Sequence, residues 1–71
     1  MRNLTKAPNL LALREAYGWS QQETADRIGI SRSYYAMLEV GGREPSVAAA
    51  KKIARVFRLD WYTFFTHEKT G

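Results

Sequence analysis

Arg32, Ser33, Ala36, Met37 and Val40 share one side of the segment 32–40 when its positions are laid out at about 100° per residue. Tyr35 and Leu38 fall together on the other side. An idle solvent face would normally be filled with Glu, Lys and Gln. This one has one cation, one hydroxyl and three small or apolar groups. Those groups suit non-covalent recognition of base edges. Arginine can fork onto guanine O6 and N7, serine can reach a base edge or a phosphate, and small apolar groups touch the thymine methyl. Methionine and valine also suit a protein-binding face, so both partners stay open on this face alone.

The flanks favour a polyanion. Gln21 opens the preceding helical segment, where first-turn N–H groups and partial positive charge can grip a phosphate. Arg43 follows the 32–40 segment and is placed for the backbone on the other side. Such contacts position a reading helix without themselves carrying sequence information. Eleven Lys and Arg against seven Asp and Glu give a net charge of +4, which also favours an anionic partner, nucleic acid above all.

These side chains need elements to hold them. Ser20 is a good N-cap, and Glu23 three residues on completes a capping-box pattern. Gly29 can take the left-handed conformation that ends such a helix. Ser31 is a second cap, and the next helix runs to Gly41. The spacing predicts helices over about 21–28 and 32–40, joined through Gly29-Ile30-Ser31. So short a link forces a steep crossing, as in a helix-turn-helix. Before them, Pro8 fits a first helical turn, and Leu10, Leu13 and Tyr17 keep helical spacing up to Gly18. After the loop 41–45, Ser46 caps a fourth helix with Val47, Ala50, Ile53, Ala54 and Phe57 on one stripe. Asp60 is read as the cap of a fifth, short helix through Phe65. The expectation is an all-α, five-helix orthogonal bundle over 8–66, with a loose lead-in at 1–7 and a polar tail at 67–71.

With 71 residues the chain is one small domain with a thin core. It has no cysteine, which suits a reducing cytoplasm. No membrane span or signal peptide is expected. Enzyme readings lack parts: His67 is the sole histidine and lies in the tail, so no histidine triad or metal cluster can be assembled. Neither a metal nor any other cofactor is expected, and no small-molecule ligand is evident.

The run Leu10-x-x-Leu13-Arg14-Glu15-x-x-Gly18-Trp19-Ser20-Gln21, then Ala25, Gly29-Ile30-Ser31, Glu39-x-Gly41 and Pro45-Ser46, resembles the Cro and phage-repressor family of helix-turn-helix regulators. The likeness covers about residues 8–65. Ser31 to Tyr35 and the Asp60–Phe65 ending resemble small regulators carried by prophages and mobile elements of Gram-positive bacteria. The resemblance implies a transcriptional regulator, a repressor by expectation, that binds an operator in double-stranded DNA as a two-fold homodimer. It places Arg32, Ser33, Ala36, Met37 and Gln21 on bases, and Gln21, Gln22, Tyr34, Gly42 and Arg43 on phosphates. It also implies a partly buried Arg14–Glu39 ion pair tying the first helix to the end of the third. Three positions depart from the pattern: Thr24 replaces leucine, Val40 replaces a polar residue, and Arg58 replaces a helix-ending glycine.

Lys51, Lys52, Arg55 and Arg58 make the fourth helix basic, which reads as a solvated face adding long-range attraction to DNA. Trp61, Tyr62, Phe64 and Phe65 exceed what one short helix can bury, so dimerisation through this last element is expected. The competing reading is a protein-interaction module, an antitoxin or anti-repressor, acting through Met37 and the aromatic patch.

Overall fold

The structure is a computed structural model and describes residues 8–65. The lead-in 1–7 and the tail 67–71, with His67, lie outside the described residues. Four α-helices follow in order: α1 Leu10–Tyr17, α2 Gln21–Ile28, α3 Arg32–Glu39 and α4 Val47–Phe57. A single 3₁₀ turn, Trp61–Phe64, comes last. The described residues contain no strand.

Each α-helix starts the same way. Asn9, Ser20, Ser31 and Ser46 take extended backbone, and each side-chain oxygen accepts the N–H three residues on, at 3.0 Å. These bonds satisfy one of the orphan donors at every start. The first cap is Asn9 with Pro8 ahead of it, not Pro8 inside the turn, because only Asn9 has an oxygen to offer Ala12. Ser20 caps Glu23, but the Glu23 carboxylate accepts from Arg27 one turn on.

The ends are left-handed turns. At α3, Gly41 has φ +80°, its N–H donates to the Leu38 carbonyl, and the Gly42 N–H donates to the Met37 carbonyl. This double bond pattern closes the last carbonyls of the helix. At α4 the same job falls to Arg58, the one non-glycine residue with positive φ (+62°) among the described residues. A side chain in that conformation costs about 1–2 kcal/mol, which the looser unfolded chain of a glycine offsets in part. Arg58→Gly is therefore expected to raise stability by up to about 1 kcal/mol, read as a higher melting temperature. A lower one would mean that the arginine side chain holds the turn.

The expected fifth helix is only the 3₁₀ turn over the described residues. Asp60 stands at its cap position without a side-chain cap bond, and its carbonyl accepts from Thr63 N and Oγ1. Aromatic and β-branched residues give poor helix propensity here, so tertiary packing rather than capping sets the geometry.

The core collects Leu10, Ala25, Ile28, Tyr35, Leu38, Ala50, Ile53, Phe57 and Phe64. Ala25 and Ala50 are both fully buried, where small side chains let α2 and α4 approach closely. Thr24 is also fully buried, and its hydroxyl donates to the Ser20 carbonyl at 2.8 Å, so the polar atom is satisfied inside. At the far end Tyr17 stacks on Trp19 at 4.5 Å, and Arg27 lies 4.2 Å from the Trp19 ring. α3 rests on α2 and α1, which leaves its opposite side outward.

Candidate nucleic-acid interface

The inner side of α3 is anchored by apolar packing and by one polar network. Tyr35 and Leu38 enter the core. Glu39, at the end of the helix, receives four hydrogen bonds. Arg14 Nε donates to Oε2 at 2.7 Å and Nη2 to Oε1 at 3.1 Å. Gln21 Nε2 donates to Oε1 at 2.9 Å, and the Tyr35 hydroxyl donates to Oε2 at 2.8 Å. Arg14 Nη1 also donates to the Trp19 carbonyl at 2.9 Å. The network thus joins α1, the α1–α2 link, the first residue of α2 and the last turn of α3. Side-chain exposure is 6% for Glu39 and 16% for Arg14, so the carboxylate is the deeper partner.

The electrostatics follow from that arrangement. Charge-assisted bonds from Arg14, then those from Gln21 and Tyr35, hold the Glu39 carboxyl down at about 2 although burial opposes them. Burial, then the Glu39 charge it bonds to, pushes the Tyr35 phenol well above its ordinary value. Glu39 in turn raises Arg14. Tyr35 and Trp19 are members that spacing alone did not flag. The signal for Tyr35 was present, since positions 35 and 39 are one helical turn apart on the same face.

The outer side of α3 is open. Arg32 and Ser33 are exposed at its first turn, Ala36 is half-buried, Met37 is 42% exposed, and Val40 at the C-cap is 77% exposed. Arg32 has no hydrogen-bond or ion-pair partner among the described residues. Tyr34, half-buried beside this face, accepts the Ser46 N–H on its hydroxyl at 3.1 Å, leaving the phenolic hydrogen to donate elsewhere. The Arg43 guanidinium lies 5.8 Å from the ring of Tyr34, a first-turn residue of α3.

Four of the expected contact residues already hold partners or pack inside the folded chain. The Gln21 amide donates one of its two N–H groups inward to Glu39, which leaves its second N–H and its oxygen for a partner. The first-turn backbone N–H groups of Gln21 and Gln22 have no partner within the helix by geometry, while the Gln22 side chain donates to Asp26. The Gly42 N–H is engaged by the helix-ending turn, where it donates to the Met37 carbonyl at 3.0 Å. Phe64 is core, only 5% exposed, in one cluster with Leu10, Leu38 and Ile53; of the residues expected to pair, Trp61, Tyr62 and half-buried Phe65 remain at the surface. Lys51 sits 5.0 Å over the Trp61 ring on that side.

Among the described residues no group of three or more His, Cys, Asp or Glu could hold a metal, and no helix is long and apolar enough to cross a membrane. The chain is similar to YqaF, an uncharacterized HTH-type transcriptional regulator of Bacillus subtilis. The two are 46% identical over 48 residues, covering 68% of this chain but only 63% of YqaF. An uncharacterized HTH-type transcriptional regulator of Archaeoglobus fulgidus is 46% identical over 61 residues, covering 82% of this chain and 87% of its own. In three dimensions the chain is similar to the N-terminal DNA binding domain of SinR from Bacillus subtilis. The TM-score is 0.70 at 25% identity, with 87% of this chain and 90% of that one covered. The profile of one family spans residues 10–64, from the first turn of α1 to the 3₁₀ turn, and by that match the chain belongs to the HTH_3 helix-turn-helix family, whose relatives here are transcriptional regulators.

Proposed function

We propose that this chain is the DNA-binding domain of a repressor that reads a two-fold operator as a pair of copies, with α3 in the major groove. The single observation that carries the reading is the contrast between the two sides of α3. One side is locked by the core and the Glu39 network, and the other offers an arginine unpartnered among the described residues, a hydroxyl and apolar tips to a duplex edge. The fold shared with a DNA binding domain of SinR supports it. Arg32, Ser33, Ala36 and Met37 take base edges. Arg43, the Tyr34 hydroxyl and the first-turn N–H groups of Gln21 and Gln22 take phosphates. Trp61, Tyr62 and Phe65 form the pairing surface, which sets half-sites about 34 Å apart. A mobile-element setting and cytoplasmic action at the nucleoid belong to the same proposal.

Selecting bound sequences from a random duplex pool, at a stated salt concentration, tests the reading. A two-fold consensus is expected. On that consensus Arg32→Ala costs about 1–3 kcal/mol per half-site, concentrated at one base position, whereas Arg43→Ala weakens all sequences alike. An Arg32→Ala protein with unchanged sequence preference would remove α3 from base reading.

A further inference from the structure

The outer side of α3 is divided by chemistry along its length. The first turn offers hydrogen-bond donors, Arg32 and Ser33, and the last turn offers none. Ala36, Met37 and Val40 carry only hydrocarbon and a thioether there. The backbone adds no donor, because the N–H groups of Val40, Gly41 and Gly42 bond to the carbonyls of Ala36, Leu38 and Met37 at 3.2, 3.1 and 3.0 Å. The apolar end is also unscreened. Val40 is the most exposed large hydrophobic side chain described, at 77%. A side chain at position 42 would lie against Val40 Cγ2, 3.8 Å from its Cβ, and glycine leaves that flank open.

In the major groove the one apolar group a base pair presents is the methyl on pyrimidine C5. Thymine carries it, 5-methylcytosine carries the same group, and cytosine lacks it. Resting on the DNA-binding reading above, we infer that the C-terminal half of α3 reads the pyrimidine 5-methyl group, with Val40 as the specificity-determining residue beside Met37. Exposed Arg32 at the start of α3 and exposed Arg43 in the loop after it supply the charge complementarity that brings a duplex to this face. Because the contact is made to the methyl and not to the pairing edge, the site accepts that group from thymine or from a methylated cytosine.

The test uses the full chain and a duplex selected from the random pool. Each thymine of a half-site is replaced singly by deoxyuridine, which deletes the methyl and keeps the pairing. Cytosines are replaced singly by 5-methylcytosine. Loss of one methyl contact should weaken binding about four-fold at one or two positions per half-site. At those positions, with the T·A pair exchanged for C·G, the duplex carrying 5-methylcytosine should bind better than the one carrying cytosine by a similar factor. Val40→Ala should make thymine and deoxyuridine duplexes equivalent there, and Val40→Ile should keep the difference. Val40 is exposed, so the variants leave the core intact, and the deoxyuridine series needs no variant. Equal affinity for thymine and deoxyuridine at every position overturns the inference while the DNA-binding reading stands. Discrimination that survives Val40→Ala overturns the assignment to Val40. A pool that yields no bound duplex removes both readings.

Discussion

Glu39→Gln is expected to cost about 2–4 kcal/mol of folding stability, toward the lower end for a broken buried pair because Arg14 keeps an open edge. The variant is nearly isosteric, so packing changes little. What changes is the match of donors to acceptors. The carboxylate accepts from Arg14 twice, from Gln21 and from Tyr35. A carboxamide keeps one oxygen and turns an NH₂ toward groups that are themselves donors. It also strands the Arg14 guanidinium near a neutral partner. For a domain this small, a loss of that size is a large share of the total.

The pH dependence gives the result its signature. The folded-state value of Glu39 lies at about 2, below the ordinary 4.5. A depressed carboxyl contributes stability that is complete above the unfolded value and is lost as pH falls through the folded one. The wild-type advantage over Glu39→Gln should therefore hold from neutrality down to about pH 4.5 and shrink between there and pH 2. Urea unfolding of both proteins across that range measures it. A difference that stays constant down to pH 2 would falsify the role of the ionised carboxylate. In the alkaline range the Tyr35 phenol is raised, so its contribution is complete below its ordinary value of 10 and declines as pH rises beyond it. The functional consequence is local, because the same bonds set how α3 leans on α1 and α2. Under mildly destabilising conditions Glu39→Gln should lose DNA affinity together with the fold.

Salt should move DNA affinity further than any single surface substitution. Each phosphate contact contributes a log–log slope of about −0.9, so a complex with about six contacts weakens roughly a thousand-fold between 50 and 200 mM salt. Arg43→Ala, acting once per half-site, should reduce the magnitude of that slope by about 1.8 for a two-fold complex. Arg32→Ala should change sequence preference more than slope. Exposed Lys51, Lys52 and Arg55 on α4 add attraction at a distance, strongest at low salt. Competition binding at several fixed salt concentrations measures all of this. The antitoxin or anti-repressor reading expects a complex with a protein that is insensitive to salt and shows no affinity for duplexes. That outcome would shift Met37 and the Trp61–Tyr62 patch to a protein partner.

Local chemistry made much of this molecule legible from its residues. Ser20, Ser31 and Ser46 mark helix starts because a hydroxyl three residues before a backbone N–H is a sufficient local device, and the structure has each bond. Glycine after α1 and α2 and at Gly41 marks three ends for an equally local reason, the left-handed turn. The division of α3 into a core side and an open side follows from period alone, and Tyr35 and Leu38 fall inward accordingly.

The remainder depended on groups far apart in sequence. Arg58 takes the helix-ending left-handed turn against its own preference, with its N–H and that of Leu59 both donating to the Ala54 carbonyl. Phe64 and Trp61 have similar local sequence, yet one is core and the other is surface, because only Phe64 meets the cluster built by residues of the earlier helices such as Leu10, Leu38 and Ile53. The inward turn of Gln21 and the convergence of four donors on Glu39 needed α1, α2 and α3 assembled around one carboxylate. Capping and periodicity act over one or two turns, so the residues by themselves determined where the helices lie and which side of α3 is exposed. Which polar atoms remain for a partner is settled only when the helices meet, since hydrogen-bond partners across 18 and 25 residues exist only in the folded chain.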